Sequence, residues 1–325
     1  MMTRKEKMLW ILYGIVLLLL FLLSSTDLII KEKKTQVYKI SVIIEDISDE
    51  NYVNFRKGMD RAAIELHADV SLITLYDKGS GEQQRELMLR EQQDGCKALI
   101  VAPADKEQIL SMQEDKRMNV PLVLLNSEVG SGGDKIVERI GFDYYQMGQE
   151  LGKRITEEQS PDKTVYLFRK QEPDSVSVRF QEGLLSELKP WGYEIIIQES
   201  SREGDLREAA EQIAGRNKDQ AVIVALDPAS LTEAAQTYSE AGEALKLKGL
   251  YGRGNTVRLL NYLDKGVIRG LCITDDFSAG YLSVKMAVEL AENRMAEEVG
   301  NLESRCIRRE DLRNVEYEKM LFPIE

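Results

Sequence analysis

The stretch KISVIIEDISDENYVNFRKGMDRAAIEL, Lys39–Leu66, decides the fold. It opens on KISVII, an apolar run of strand length. After a polar loop, Val53, Met59, Ala62, Ala63 and Leu66 recur at helical spacing and can share one face. A buried strand followed by an amphipathic helix is the repeating unit of parallel sheets. The unit recurs along the chain. Strands at Val70–Leu75, Ala98–Val101, Pro121–Leu125 and Val137–Ile140 are predicted around helices at 81–93 and 105–117. A second set follows, with strands at Thr164–Phe168, Tyr193–Gln198, Ala221–Ala225, Lys248–Tyr251 and Ile268–Ile273. Its helices are predicted over 144–157, 181–188, 205–214, 228–241, 257–263 and 277–293.

Two successive sets predict an α/β fold of two doubly wound, Rossmann-like lobes with right-handed crossovers. The chain of 325 residues is long enough for two cores of about 130 residues each. In open parallel sheets ligands bind beyond the carboxyl ends of the strands. That rule selects the loops after Ile44, Val101, Leu125, Phe168, Ala225, Tyr251 and Ile273.

Ahead of the first strand, Arg4, Lys5 and Lys7 precede an uncharged segment, Met8–Thr26. As a helix it would be about 28 Å long, near the thickness of a bilayer core. Residues 1–30 therefore read as one N-terminal transmembrane anchor, with a cleaved signal segment as the alternative. The basic end favours the cytoplasmic side, which leaves the remainder outside the cytoplasm. Residues 31–37 read as a charged linker.

The formal charge is −12, which argues against a nucleic-acid partner. Cys96, Cys272 and Cys306 match no metal or redox spacing. Cys96 and Cys272 lie in or beside apolar runs and read as buried, inert thiols; spacing settles no pairing. The single histidine, His67, ends the first helix, away from the strand ends where chemistry would sit. GRGNT at 252–256 lacks the Gly-Lys-Ser/Thr ending of a phosphate loop. Asp275-Asp276 alone does not make a glycosidase. No enzyme, metal or cofactor chemistry is expected.

Four segments carry a family resemblance: Lys39–Leu66, GEQQRELMLREQQDGCKALIVAPAD (81–105), PLVLLNSE (121–128) with IGFDYYQMGQELGKRI (140–155), and ITDDFSAGYLSVKMAVEL (273–290). Their order resembles the type I periplasmic sugar-binding proteins, the ribose- and galactose-binding receptors. The same fold forms the effector domain of lactose-repressor-like regulators. The resemblance implies lobes of 38–142 plus 275–303 and of 143–274 plus 304–325, joined by a multi-strand hinge. It implies capture of a small polar ligand, a carbohydrate first of all, for an ABC-type importer. The helical anchor motivates the alternative, a ligand sensor signalling to a membrane histidine kinase.

The resemblance also implies a ligand set. The first loop offers Asp46, Asp49, Asn51 and Tyr52, with Tyr52 where the family often stacks an aromatic on the sugar. Asn126 and Ser127 stand where the family often has Asp-Arg, and Ala102 replaces a strand-end asparagine. Phe180, beside Arg179, stands where an arginine is expected. Leu226-Asp227 replaces Asn-Asp, and Tyr251, with Arg253 nearby, replaces an aspartate. Thr274 and Asp275 mark the return crossover, and Asp143 the first one. Asp143 and Asp227 also suit helix caps. Most sugar-holding polar groups of the family are thus substituted.

Overall fold

The computed structural model describes residues 3–25, 37–45, 52–77, 79–104, 117–126, 137–202, 204–217, 221–241, 249–297 and 299–323. Met1–Val37 forms one unit and Tyr38–Glu325 another. The first unit holds helix α1 (Arg4–Ser25), whose large apolar side chains from Met8 to Leu22 are exposed. No helix among the described residues is long and apolar enough to cross a membrane. Four charged residues fill the first turn of α1, and two serines end it. The apolar part, Met8–Leu23, therefore spans about 24 Å, short of a core of about 30 Å.

In the second unit, β1 (Tyr38–Ile44), α2 (Val53–Leu66), β2 (Ala68–Thr74), α3 (Gly81–Gln93), β3 (Ala98–Val101), β4 (Leu122–Leu125) and β5 (Val137–Ile140) build the first lobe. Its sheet is parallel throughout, in the order β2-β1-β3-β4-β5. Ile40, Val42 and Ile44 pack with Phe55 and Met59 of α2 on one face. Ile43 packs with Met88 of α3 on the other. Cover on both faces explains the unbroken apolar run in the sequence.

The second lobe contains α4 (Tyr144–Glu158), β6 (Thr164–Lys170), α5 (Ser175–Leu188), β7 (Glu194–Ser200), α6 (Asp205–Asn217) and β8 (Ala221–Ala225). It continues with α7 (Pro228–Ala241), β9 (Leu250–Arg253), α8 (Val257–Asp264) and β10 (Gly270–Thr274). After β10, α9 (Asp276–Ala291) returns to the first lobe, and β11 (Ser304–Ile307) and α10 (Val315–Leu321) complete the second. The second sheet has the order β11-β10-β9-β8-β6-β7, with only β11 antiparallel. Apart from that edge, both sheets share one strand order. Each reverses direction beside its first strand, at β1/β3 and β6/β8.

Three strands end two residues later than expected: β6 runs on to Lys170, β7 to Ser200, and β9 to Arg253 rather than Tyr251. Gly252, the first residue of GRGNT, lies inside β9. A Cβ there would stand 2.8 Å from the Ala225 carbonyl oxygen of β8. The expected helix over 105–117 falls outside the described residues, Arg117 excepted.

The chain passes between the lobes where Phe142 and Leu302 form a parallel bridge. Leu302 N donates to Gly141 O at 2.8 Å, and Asp275 N donates to Glu303 O at 3.1 Å. Close below, Cys272 of β10 and Cys306 of β11 are register partners joined in a disulfide. That corrects the reading of Cys272 as an inert thiol. Strand pairing, which cysteine spacing does not reveal, brings the two sulfurs together. Cys96 is free and buried.

The two helices that enter from the hinge are held by glycines. A Cβ on Gly148 of α4 would lie 2.1 Å from Phe180 O, and one on Gly183 of α5 1.9 Å from Tyr145 O. In the first lobe, a Cβ on Gly58 of α2 would lie 2.0 Å from Phe277 O, and one on Gly280 of α9 2.0 Å from Phe55 O. Backbone must move to admit any side chain. Gly148→Ala and Gly280→Ala are each expected to cost about 2–3 kcal/mol in urea unfolding. Gly215→Ala, in open space on α6, is expected to gain about 0.5–1 kcal/mol from helix propensity.

Candidate functional site

The carboxyl ends of β9 and β10 meet the hinge in one polar cluster. Asn255, just after β9, donates through Nδ2 to Thr274 O at 2.6 Å and to Asp276 Oδ2 at 2.7 Å. Its Oδ1 accepts from Thr274 N at 3.1 Å. The Thr274 hydroxyl donates to Asp276 Oδ1 at 2.8 Å. Asn255 belongs to the second lobe, Asp276 opens α9 of the first, and Thr274 lies between them. The three side chains thus bracket the crossing strand.

Asp276 keeps partial solvent contact, but the surrounding protein desolvates it. Desolvation pushes its carboxyl up to about 6, and the Asp275 charge adds to the rise. The hydrogen bonds from Thr274 and Asn255 and the charge of Arg253 oppose it.

Arg253 ends β9 with its side chain 13% exposed. Its Nε donates to Leu226 O at 2.7 Å and its Nη2 to Ser177 Oγ at 3.0 Å. Asp174 lies 3.9 Å from Nη2. The guanidinium sits 5.7 Å from the centre of the Tyr144 ring. The edge of Phe142 approaches the same ring at 6.0 Å between centres. Arginine, carboxylate and aromatic side chains at strand ends can hold hydroxyl-rich ligands.

The other expected site residues divide. Tyr52 is half-buried at the start of α2, edge-on to Phe55. Asn126 follows β4 in a left-handed conformation, φ 50°, and is exposed. Asp46, Asp49, Asn51 and Ser127 lie outside the described residues.

Two aromatics are corrected. Phe180 is 0% exposed and packs in the lobe core with Met147 and Leu184. Tyr251 is also 0% exposed; its hydroxyl accepts from Gln159 and donates to Glu158, each at 2.8 Å. With β9 two residues longer than expected, Arg253 takes the strand-end position and Tyr251 falls below it. Arg179 pairs with Glu182 and lies over the Tyr145 ring.

Three aspartates are helix caps. Asp143 accepts from Gln146 N, while Asp227 and Asp275 each bind the backbone and hydroxyl of the serine three residues on, Ser230 and Ser278. Asp227, at 3% exposure, is closed to a ligand. Asp276, Asn255 and Tyr144 were missed. Asp276 was hidden by its neighbour Asp275, the better cap signal, and Asn255 by the glycines around it.

A model of the periplasmic binding protein domain matches residues 40–295. The chain belongs to this family. No curated protein matches it. Among solved structures, a glucose-galactose binding protein, GanP, from Geobacillus stearothermophilus is similar, with TM-score 0.73 and 20% identity over 86% of this chain and 99% of that one. An ABC transporter solute-binding protein from Agrobacterium vitis, bound with α-D-tagatopyranose, gives TM-score 0.76 and 16% identity over 88% and 100%. One from Bacillus halodurans C-125 with bound myo-inositol gives 0.74 and 16% over 89% and 99%. At these identities the likeness is one of fold.

In this periplasmic binding protein, the raised Asp276 carboxyl has a sign that can be tested. The folded state holds the proton more tightly than the unfolded chain, whose carboxyl titrates near 3.8. Stability is therefore fully present below about 4 and falls as pH rises through about 6. Asp276→Asn imitates the protonated form. It is expected to match the wild type in thermal unfolding at pH 4 and to exceed it by about 2–4 °C at pH 7.5. A constant offset at all pH values would rule out the titration of Asp276 as the cause.

Proposed function

We propose that this chain is an extracytoplasmic, membrane-tethered solute-binding protein. It captures a sugar or related small polar ligand between its lobes and delivers it to an ABC-type importer. The cluster of Arg253, Tyr144, Asn255 and Asp276 carries the reading, because it lies at the strand ends and touches both lobes at the hinge. Membership in the periplasmic binding protein family supports it. So do neighbours of the same fold whose ligands are α-D-tagatopyranose and myo-inositol. Lobes of 38–142 plus 275–303 and of 143–274 plus 304–325 would close about the segments at 141–143, 274–276 and 302–304. Tyr52, Asn126, Arg253 and Asp275 are the proposed rim of the cleft, and Asp46, Asp49, Asn51 and Ser127 are proposed as further ligand residues.

The experiment is thermal unfolding of residues 37–325 with D-galactose, D-tagatose, myo-inositol, nucleosides and amino acids. A ligand at 100 times its dissociation constant adds about 2.7 kcal/mol. An upward shift with one sugar or polyol is expected. No shift with any compound would remove solute capture as the function.

The disulfide supports a location outside the reducing cytoplasm. The tether rests on α1, whose exposed apolar side chains need a hydrophobic environment. Tilt cannot lengthen its apolar part, but local thinning of the bilayer and snorkelling of Lys5 and Lys7 can accommodate it. The full chain is expected in the membrane pellet after alkaline carbonate extraction, with residues 37–325 in the supernatant. A full chain that is shortened and soluble would mean a cleaved leader. A helical tether also suits an accessory sensor, and crosslinking to a histidine kinase rather than a permease would favour that role.

A further inference from the structure

Tyr144 is the first residue of α4, directly after the first crossing between the lobes. Among the described residues, it alone packs against the apolar core of both lobes. One face of its ring carries Arg253, and Phe142 stands against it edge to face. The ring is therefore committed to packing. Its hydroxyl is not: no hydrogen-bond partner for it exists among the described residues, although the side chain is largely enclosed. Arg253 Nη1 likewise has no partner among them, while Nε and Nη2 are both engaged. Tyr251 provides the contrast. Its ring packs in the same second-lobe core, and its hydroxyl is paired on both sides, with Gln159 and Glu158.

Neither atom is sealed off from solvent, so each is open to water or to a ligand atom at the strand-end cleft. We propose that Tyr144 is the specificity-determining residue of the cleft, its hydroxyl donating, together with Arg253 Nη1, to an acceptor oxygen of the bound sugar or polyol. This rests on the solute-capture reading above. Because the same ring touches both lobe cores, the contact also ties ligand recognition to the hinge. Desolvation, together with the Asp276 and Asp174 charges, drives the phenol pKa far up, so the hydroxyl stays a neutral donor at any physiological pH. Each oxygen of Asp276 already accepts one hydrogen bond, from Thr274 or from Asn255.

The test uses two matched variants of the full chain in detergent, Tyr144→Phe and Tyr251→Phe. The probes are D-galactose, D-tagatose and myo-inositol, titrated by calorimetry, with unfolding followed in parallel. Tyr144→Phe keeps the ring, so its ligand-free melting temperature is expected to stay within about 1 °C of the wild type. Its affinity for the bound probe is expected to fall at least about ten-fold, as for loss of one hydrogen bond in an enclosed site. Tyr251→Phe is expected to do the reverse, lowering the melting temperature and leaving affinity within about two-fold. If the wild type binds a probe and Tyr144→Phe binds it equally well, the assignment of Tyr144 is overturned and solute capture stands. If the wild type binds none of the three, the sugar-capture reading falls, and this assignment with it.

Discussion

The close approach of helix backbones at glycine is the constraint on which the rest of the structure depends. α4 and α9 are the helices that enter the lobes from the hinge. Each is pressed against the helix after its lobe's first strand, at Gly148 and Gly183 in one lobe and Gly58 and Gly280 in the other. The contact sets where each helix begins. α4 begins with Tyr144 and α9 with Asp276. Packing inside the lobes thus positions two side chains at the boundary between them, which loop geometry alone would hold less firmly.

The charges near the strand ends are numerous, but few are available. Helices that start beside the cleft need their first N–H groups satisfied, and aspartate is among the best residues for that task. Asp143, Asp174, Asp227 and Asp275 all cap in this way. An acidic sequence therefore does not produce an acidic ligand site. The carboxylate that remains, Asp276, is tied to Asn255 and Thr274. Arg253 is partly balanced by Asp174 and Asp276. Among the described residues, the cluster of Tyr144, Arg253, Asn255 and Asp276 balances its charges and is rich in hydrogen-bonding groups, a character that suits hydroxylated ligands.

How much of this could be read in the sequence depends on which force shaped each residue. Burial on both faces leaves unbroken apolar runs, so β1, β3, β4 and β8 were legible, and with them the fold. Close backbone approach leaves only a glycine, which reads equally well as a turn. That is why β9 was ended two residues early and Tyr251 was given the position that Arg253 holds. Tyr251 and Phe180 are aromatic residues near predicted loops, and sequence does not say which way such a ring points. The disulfide joins residues 34 apart in sequence, through a strand pairing that only the sheet order shows. Asp276 and Asn255 are recognisable only as partners of each other, since neither stands in a motif.

The antiparallel strand β11 gives the hinge an asymmetry. Of the crossing segments, the one leaving β10 and the one entering β11 are bonded to each other by strand pairing and by Cys272–Cys306. The first crossing, at Gly141–Asp143, is attached to them by the Leu302–Gly141 hydrogen bond and the Phe142–Leu302 bridge. Covalent and ladder constraints hold these two segments together as far as the Thr274–Ser304 pair, more firmly than a single bridge holds the first crossing. Asn255 reaches from the second lobe to that point and Tyr144 stands beside it.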